Sequence, residues 1–254
     1  GLGRSDAKAL FDALGKPGAT TVVDLGLHAW VRLEPPDVRP GALVFATRVR
    51  ERRLEPSDLV RTGFVEVKQL AVLTEAIDAG RGVMVVGADG AEAHRLLATL
   101  LGKACDGARH VVVAERHSTL DTSGLSPTCV RREAIARDRS GALAAVVRNA
   151  DVVVIDDVGG EDWELVFRGS TRGSVVCSVS AADQQVAVLE AARRWLARTG
   201  ADHVRLPSEA GLHLVALCVQ EGSVGRVRAV YEIPDKPLSA TTKYVSLKPL
   251  GGER

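Results

Sequence analysis

The spacing of apolar and polar positions changes character near residue 65. Before it, the chain reads as a small α+β module. Ser5 is placed to cap a helix that runs through Leu14 and ends at Gly15, with Pro17 just beyond. Residues 20–26, 29–33 and 43–49 are short β-type runs, and Pro35, Pro36 and Pro40 punctuate the turn after the second. Glu55-Pro56-Ser57-Asp58 then reads as a helix start, because proline is tolerated in a first turn.

After that point, helices alternate with fully apolar strands. Residues 67–79 are apolar at helical spacing and stop at Gly80. Residues 83–86 form a continuous apolar run ending at Gly87, the pattern of a strand buried on both faces. The remaining pattern predicts a helix over 91–101, a strand over 110–114, a helix over 131–149 and a second buried strand over 152–155. A short helix over 162–167, a strand over 174–179 and a helix over 183–198 follow. Residues 212–219 and 226–233, joined at Gly222 and Gly225, read as a hairpin. Such alternation implies an α/β fold with a mostly parallel sheet covered by helices on both faces. The expected organisation is a partial N-terminal α+β domain over 1–65 and a larger α/β domain over 66–254.

Composition narrows the class. The 254 residues are 46% hydrophobic and 26% charged, ordinary globular values that exclude a disordered chain. Thirty-three Lys+Arg against 32 Asp+Glu leave a net charge of +1, and aromatics are only 4%, so neither electrostatics nor stacking platforms favour a nucleic-acid partner. Cys105, Cys129, Cys177 and Cys218 contain no CxxC pair, which argues against a disulfide scaffold or a zinc site. His110 and His117 lack metal-ligand spacing. No apolar run approaches a membrane span and no signal-peptide pattern opens the chain, so a cytoplasmic location is expected. The one methionine is Met84, and the chain is expected to be a processed or truncated product.

In an α/β domain, the turn after the first buried strand is where ligands bind. Here it reads Gly87-Ala88-Asp89-Gly90-Ala91-Glu92-Ala93-His94. A phosphate-binding loop of the G-x-x-x-x-G-K-[ST] type uses backbone amides to cradle phosphates, a lysine to neutralise them and a hydroxyl to hold magnesium. Laid on that frame, Gly87 fits, but Glu92 stands for the second glycine, Ala93 for the lysine and His94 for the hydroxyl. The positive charge is gone, a negative one is added, and a Cβ stands where close backbone approach is needed. No lysine in the chain is followed by Ser or Thr, so no displaced loop is available. Ser170, Ser178 and Ser180 lie in no G-x-S-x-G elbow, so a serine nucleophile is not expected.

The order of segments around this turn is similar to that of the type II/IV secretion ATPases, particularly the CpaF/TadA branch serving Tad pili. Arg48-Val49-Arg50 through Leu59-Val60, followed by an amphipathic helix, resembles the approach to that family's phosphate loop. Val111-Val112-Val113-Ala114-Glu115-Arg116-His117-Ser118-Thr119-Leu120 resembles the family's aspartate box. Ala150-Asp151-Val152-Val153-Val154-Ile155-Asp156-Asp157 resembles the Walker B strand. Arg172-Gly173-Ser174 and the strand after it resemble the histidine box, and the terminal hairpin resembles the closing one. The resemblance covers about residues 42–233 and implies a RecA-like P-loop NTPase fold.

What the resemblance implies about chemistry is a vestigial site. Asp157 falls at the Walker B glutamate, Glu115 at the first acid of the aspartate box, and the family histidine falls near Ser180. Gly87, Gly90, Glu92, Ala93 and His94 make up the degenerate phosphate loop, with Arg48 at a basic position that reaches nucleotide from the N-terminal domain. Asp156 and Asp157 have an alternative reading as caps of the short helix that follows. The function implied is a catalytically inactive homologue, a pseudo-ATPase, in a Tad-like pilus or secretion machine. No catalytic residue, metal or cofactor is then expected. Its partners would be proteins: further copies in a ring of six, an active paralogue, and the inner-membrane platform on whose cytoplasmic face the family works. The alternative is an NTPase, active or only nucleotide-binding, that takes ATP and magnesium with other phosphate ligands such as Arg95 or a partner's arginine.

Overall fold

The computed structural model describes residues 21–26, 29–33, 46–49, 54–88, 91–106, 109–115, 120–122, 125, 130–134, 147, 149–169, 173–222 and 224–250. The expected helix at Ser5, the prolines at 35, 36 and 40, Gly90, residues 116–119 and Arg172 lie outside them. The chain divides into two compact units, with the boundary after Arg52 and residues 117–121 grouped with the first. The first unit contains a three-stranded antiparallel sheet of β1 (Thr21–Gly26), β2 (Ala29–Leu33) and β3 (Ala46–Val49), in that order.

The second unit opens with two helices, α1 (Pro56–Arg61) and α2 (Val67–Asp78). Alternating elements follow: β4 (Gly82–Gly87), α3 (Ala91–Ala104), β5 (Val111–Glu115), β6 (Val130–Ala134) and β7 (Val152–Ile155). Next come α4 (Trp163–Gly169), β8 (Ser174–Ser180), α5 (Gln184–Thr199), β9 (His203–Val204) and α6 (Leu206–Ala210). The long hairpin β10 (Leu212–Glu221) and β11 (Val224–Glu232), then β12 (Leu238–Ser239) and β13 (Lys248–Pro249), complete the unit. Eight strands make one sheet in the order β13-β11-β10-β4-β8-β7-β5-β6. From β10 to β6 every pairing is parallel; β11 alone runs against the others, pairing antiparallel with β10 on one side and β13 on the other.

Valine runs form the central strands because both of their faces are covered. Successive side chains point to opposite sides. Met84, Val86, Val112, Ala114, Val153, Ile155, Val175 and Cys177 join one core with α4 and α5. The alternate set, Val83, Val85, Val113, Val154 and Val176, is also fully buried, on the face covered by α3 with Leu96, Leu97, Leu100 and Leu101. Aromatic rings tie α4 to α5: Phe167 stacks with Trp163 at 5.8 Å between centroids and meets Trp195 edge-on at 5.0 Å. Asp183 caps α5 by accepting from the Val186 amide at 2.8 Å, and Gly200 ends it at φ 69°.

One expected helix is corrected. Residues 131–134 belong to β6, which pairs in parallel with β5 from Val111↔Val130 to Glu115↔Ala134. The Val-Arg-Arg-Glu-Ala stretch has no apolar stripe to hold a helix on the core, whereas β5 offers a row of backbone donors and acceptors that a strand satisfies. Of the rest of that span, Val147 is helical and 135–146 lie outside the described residues. The pattern also gave no sign of β9, α6, β12 and β13. β12 and β13 belong to a tail that pairs back onto β9 and β11 and is held by the Gln185 amide, which accepts from the Val245 N–H at 2.9 Å and donates to its carbonyl at 2.5 Å.

At the opposite edge of the strands, β4 begins against the turn before β10. A Cβ on Gly82 would lie far closer to the Gly211 carbonyl oxygen than van der Waals contact allows. The Gly82 N–H points between that oxygen, at 3.1 Å, and His213 Nδ1, at 3.2 Å. Burial lowers the His213 pKa below its ordinary 6.5, and Arg81 adds to the effect against the Gly211 carbonyl, Asp235 and Glu232.

Two outcomes follow for the unfolding equilibrium. Gly82→Ala lowers stability by about 1–3 kcal/mol through overpacking against backbone, while Gly159→Ala, whose Cβ meets nothing, stays within about 0.5 kcal/mol in the same urea titration. Because the folded state binds the His213 proton more weakly than the unfolded state, its contribution is complete above pH 6.5. That contribution is lost as pH falls from there through the lower folded-state value. His213→Gln flattens this limb in denaturation curves taken across the acid range.

Candidate functional site

The carboxyl ends of β4, β7 and β8 meet α3 at the point where the sequence places its vestigial site. Gly87 closes β4, pairs with Ser180 of β8 and accepts from the Ala181 N–H at 3.2 Å. Ala93 is fully buried on α3, and a Cβ on Gly87 would lie 3.2 Å from its methyl. The position that would carry the phosphate-neutralising lysine therefore contributes a methyl group packed under the turn. Glu92 lies along the terminal hairpin, and a Cβ on Gly225 would come within 2.5 Å of its Cγ and 2.9 Å of its Oε1. Glycine at 225 makes room for that carboxylate.

Strand parity sets the next layer. Ile155 and Cys177 are register partners facing the α4–α5 core, so the residues after them, Asp156 and Ser178, turn toward α3. There the His94 imidazole meets them. Its Nδ1 lies 2.9 Å from Asp156 Oδ2, and the Ser178 hydroxyl donates to Asp156 Oδ1 at 2.8 Å. An ionised carboxylate only accepts, so Nδ1 carries the proton in this pair. All three residues are buried: His94 is 4% exposed, Asp156 8% and Ser178 3%. The Ser178 oxygen also accepts from the Asp157 N–H at 2.7 Å. One hydroxyl thus links the two consecutive acids.

The other expected residues fall around this clasp. Asp157 is exposed, and its backbone is left-handed at φ 54°, a conformation that aspartate adopts at less cost than most residues. Its Oδ1 accepts from the Ser180 hydroxyl at 3.2 Å, so the residue near the family histidine position is joined to the acid near the Walker B glutamate position. Glu115 ends β5, is 4% exposed and sits opposite Ala134. Arg48 pairs with Trp30 within the sheet of the first unit, and its side chain lies outside the described residues, as does Gly90. Arg95, a candidate replacement cation, has its guanidinium over the Phe64 ring at 5.5 Å. The alternative capping role for Asp156 and Asp157 is corrected as well. The turn over Gly160–Asp162 that leads into α4 is closed by Asp162, whose Oδ2 accepts from the Gly159 N–H at 3.2 Å.

Sequence reasoning passed over Ser178 because it was weighed only as a nucleophile. A hydroxyl at the carboxyl end of a strand otherwise built from valine and cysteine is the signal that could have found it. The thiols nearby are not reactive candidates. Burial pushes Cys177 up to about 12, and burial followed by the Glu92 charge raises Cys218 further. Among the described residues no cluster of three or more His, Cys, Asp or Glu can hold a metal ion.

Among the described residues, those around this turn are not the side chains on which a phosphate loop holds magnesium nucleotide. Both oxygens of Asp156 already accept from protein donors, Ala93 brings no charge, and Glu92 places a carboxylate beside the helix start. The dipole of α3 alone contributes about 0.3–1 kcal/mol toward an anion, too little against a missing lysine and an added negative charge.

No family profile matches this sequence, and no curated protein does. Among solved structures, the chain is similar to the ATPase DotB of Yersinia pseudotuberculosis, with a TM-score of 0.55 at 12% identity over 84% of this chain and 56% of that one. It is similar also to the pilus retraction motor PilT, solved with bound ADP, at 0.54 and 14% over 95% and 68% of the two chains. DotB of Legionella pneumophila matches at 0.50 and 14% over 84% and 60%. At these identities the likeness establishes the fold alone, a mainly parallel α/β sheet shared with these ATPases. The chain spans about half the length of the Yersinia DotB chain.

The clasp makes a specific stability forecast. Ser178→Ala leaves the Asp157 N–H and one Asp156 oxygen without their hydroxyl partner, and lowers the unfolding free energy by about 1–3 kcal/mol in urea titration. Ser180→Ala, at an exposed bond, stays within about 0.5 kcal/mol.

Proposed function

We propose that this chain is a non-catalytic homologue of the secretion ATPases, a pseudo-ATPase that serves as an assembly or regulatory subunit. Its machine would be a bacterial type II/IV secretion or Tad-like pilus system. What carries the reading is the occupation of Asp156: the acid at the end of the Walker B-like strand is engaged from both sides by His94 and Ser178. The buried methyl of Ala93 and the carboxylate of Glu92 support it, since each replaces a feature on which phosphate binding depends.

The architecture has been kept while the chemistry has gone, which is the profile of a protein selected for the surfaces it presents. By analogy with the machines of its structural neighbours, the partners would be other copies of itself, an intact paralogue, and an inner-membrane platform. Among the described residues no helix is long and apolar enough to cross a membrane. The reading with non-standard phosphate ligands gains nothing from Arg95, whose guanidinium lies over Phe64.

Thermal unfolding with millimolar Mg-ATP tests the proposal. A site filled at about 100 times its dissociation constant would add about 2.7 kcal/mol, a rise of several degrees for a chain of this size. The expected result is a melting temperature unchanged by Mg-ATP or Mg-ADP. A reproducible upward shift would refute the reading.

A further inference from the structure

The clasp does more than block a ligand. A carboxylate at 8% exposure has lost most of its hydration and must be compensated inside the protein. In a nucleotide-binding relative of this fold, a bound cation supplies that compensation and bridges the phosphate-loop helix to the strand end. Here the bridge is made by side chains of the same chain. His94 lies on α3 and Asp156 at the end of β7, and Ser178 brings in β8 and, through its oxygen, the backbone of Asp157. Three elements far apart in sequence are joined through buried polar bonds that shed little strength to water.

We infer that the His94–Asp156–Ser178 clasp is a built-in substitute for a bound cation, fixing the first half of α3 on the sheet with no ligand. The inference rests on the reading of a site without nucleotide and adds what takes the ligand's place. The phosphate-loop helix is then held in one position permanently, so the domain presents a constant surface instead of one that cycles with nucleotide. Glu92 lying across Gly225 and Arg95 over Phe64 extend the same tethering to the hairpin and to the segment before α2.

Hydrogen exchange on the full chain tests this. His94→Ala is expected to speed exchange of the amides from Arg95 to Thr99 about tenfold, the change that losing one charge-assisted buried bond predicts, with α5 amides unaffected. His94→Asn is the conservative control, because its Nδ2 occupies the position of the imidazole Nδ1; it is expected to retain wild-type protection in α3. If the alanine variant does not fold but the asparagine variant folds with normal protection, the clasp is supported. Wild-type protection in a folded His94→Ala protein overturns the inference. So does equal loosening of α3 and α5, or an asparagine variant that is unfolded or loosened. A wild-type chain that melts higher with Mg-ATP contradicts the proposed function instead, so the two failures are separable.

Discussion

A buried carboxylate cannot be left alone, and the way this chain satisfies Asp156 governs the carboxyl end of its sheet. His94 at 2.9 Å and Ser178 at 2.8 Å supply the hydrogen bonds. Removing one partner of such a set exposes the cost of the buried charge, which exceeds the value of any one bond. The residues at positions 94, 156 and 178 therefore form one unit, and under the proposed function this unit takes the place of the lysine and hydroxyl that a phosphate loop would carry. A phosphate loop that had merely decayed would leave Asp156 stranded.

The frame that brings these residues together is set by close contacts between glycine and its neighbours. Gly82 allows β4 to begin against the Gly211 carbonyl, Gly87 lets the Ala93 methyl pack beneath the turn, and Gly225 accommodates Glu92. With β4 placed by the first of these, the parallel register carries through to β8 and β7, and strand parity then directs Ser178 and Asp156 toward α3. The same alternation that builds the two hydrophobic faces aims the polar clasp.

Much of this was readable from the residues alone. The unbroken apolar runs of β4 and β7 marked buried strands, and Asp183 marked the start of α5. The substitution of Glu92, Ala93 and His94 for phosphate-binding types was visible against a motif frame. The partner of His94 was not, since 62 residues separate it from Asp156 and only the sheet order makes them neighbours. β6 was missed because its strand character comes from pairing with β5 and not from its own composition. The short tail strands have no periodicity at all, being held by the Gln185 amide and by edge pairing.

The account predicts a domain whose nucleotide-site geometry is complete without nucleotide. A crystal of the full chain soaked in a non-hydrolysable ATP analogue with magnesium examines that directly. The predicted density shows His94 on Asp156, Glu92 against Gly225, and no phosphate over the Gly87–Ala88 turn. Triphosphate density at that turn, with the imidazole displaced from Asp156, would contradict it.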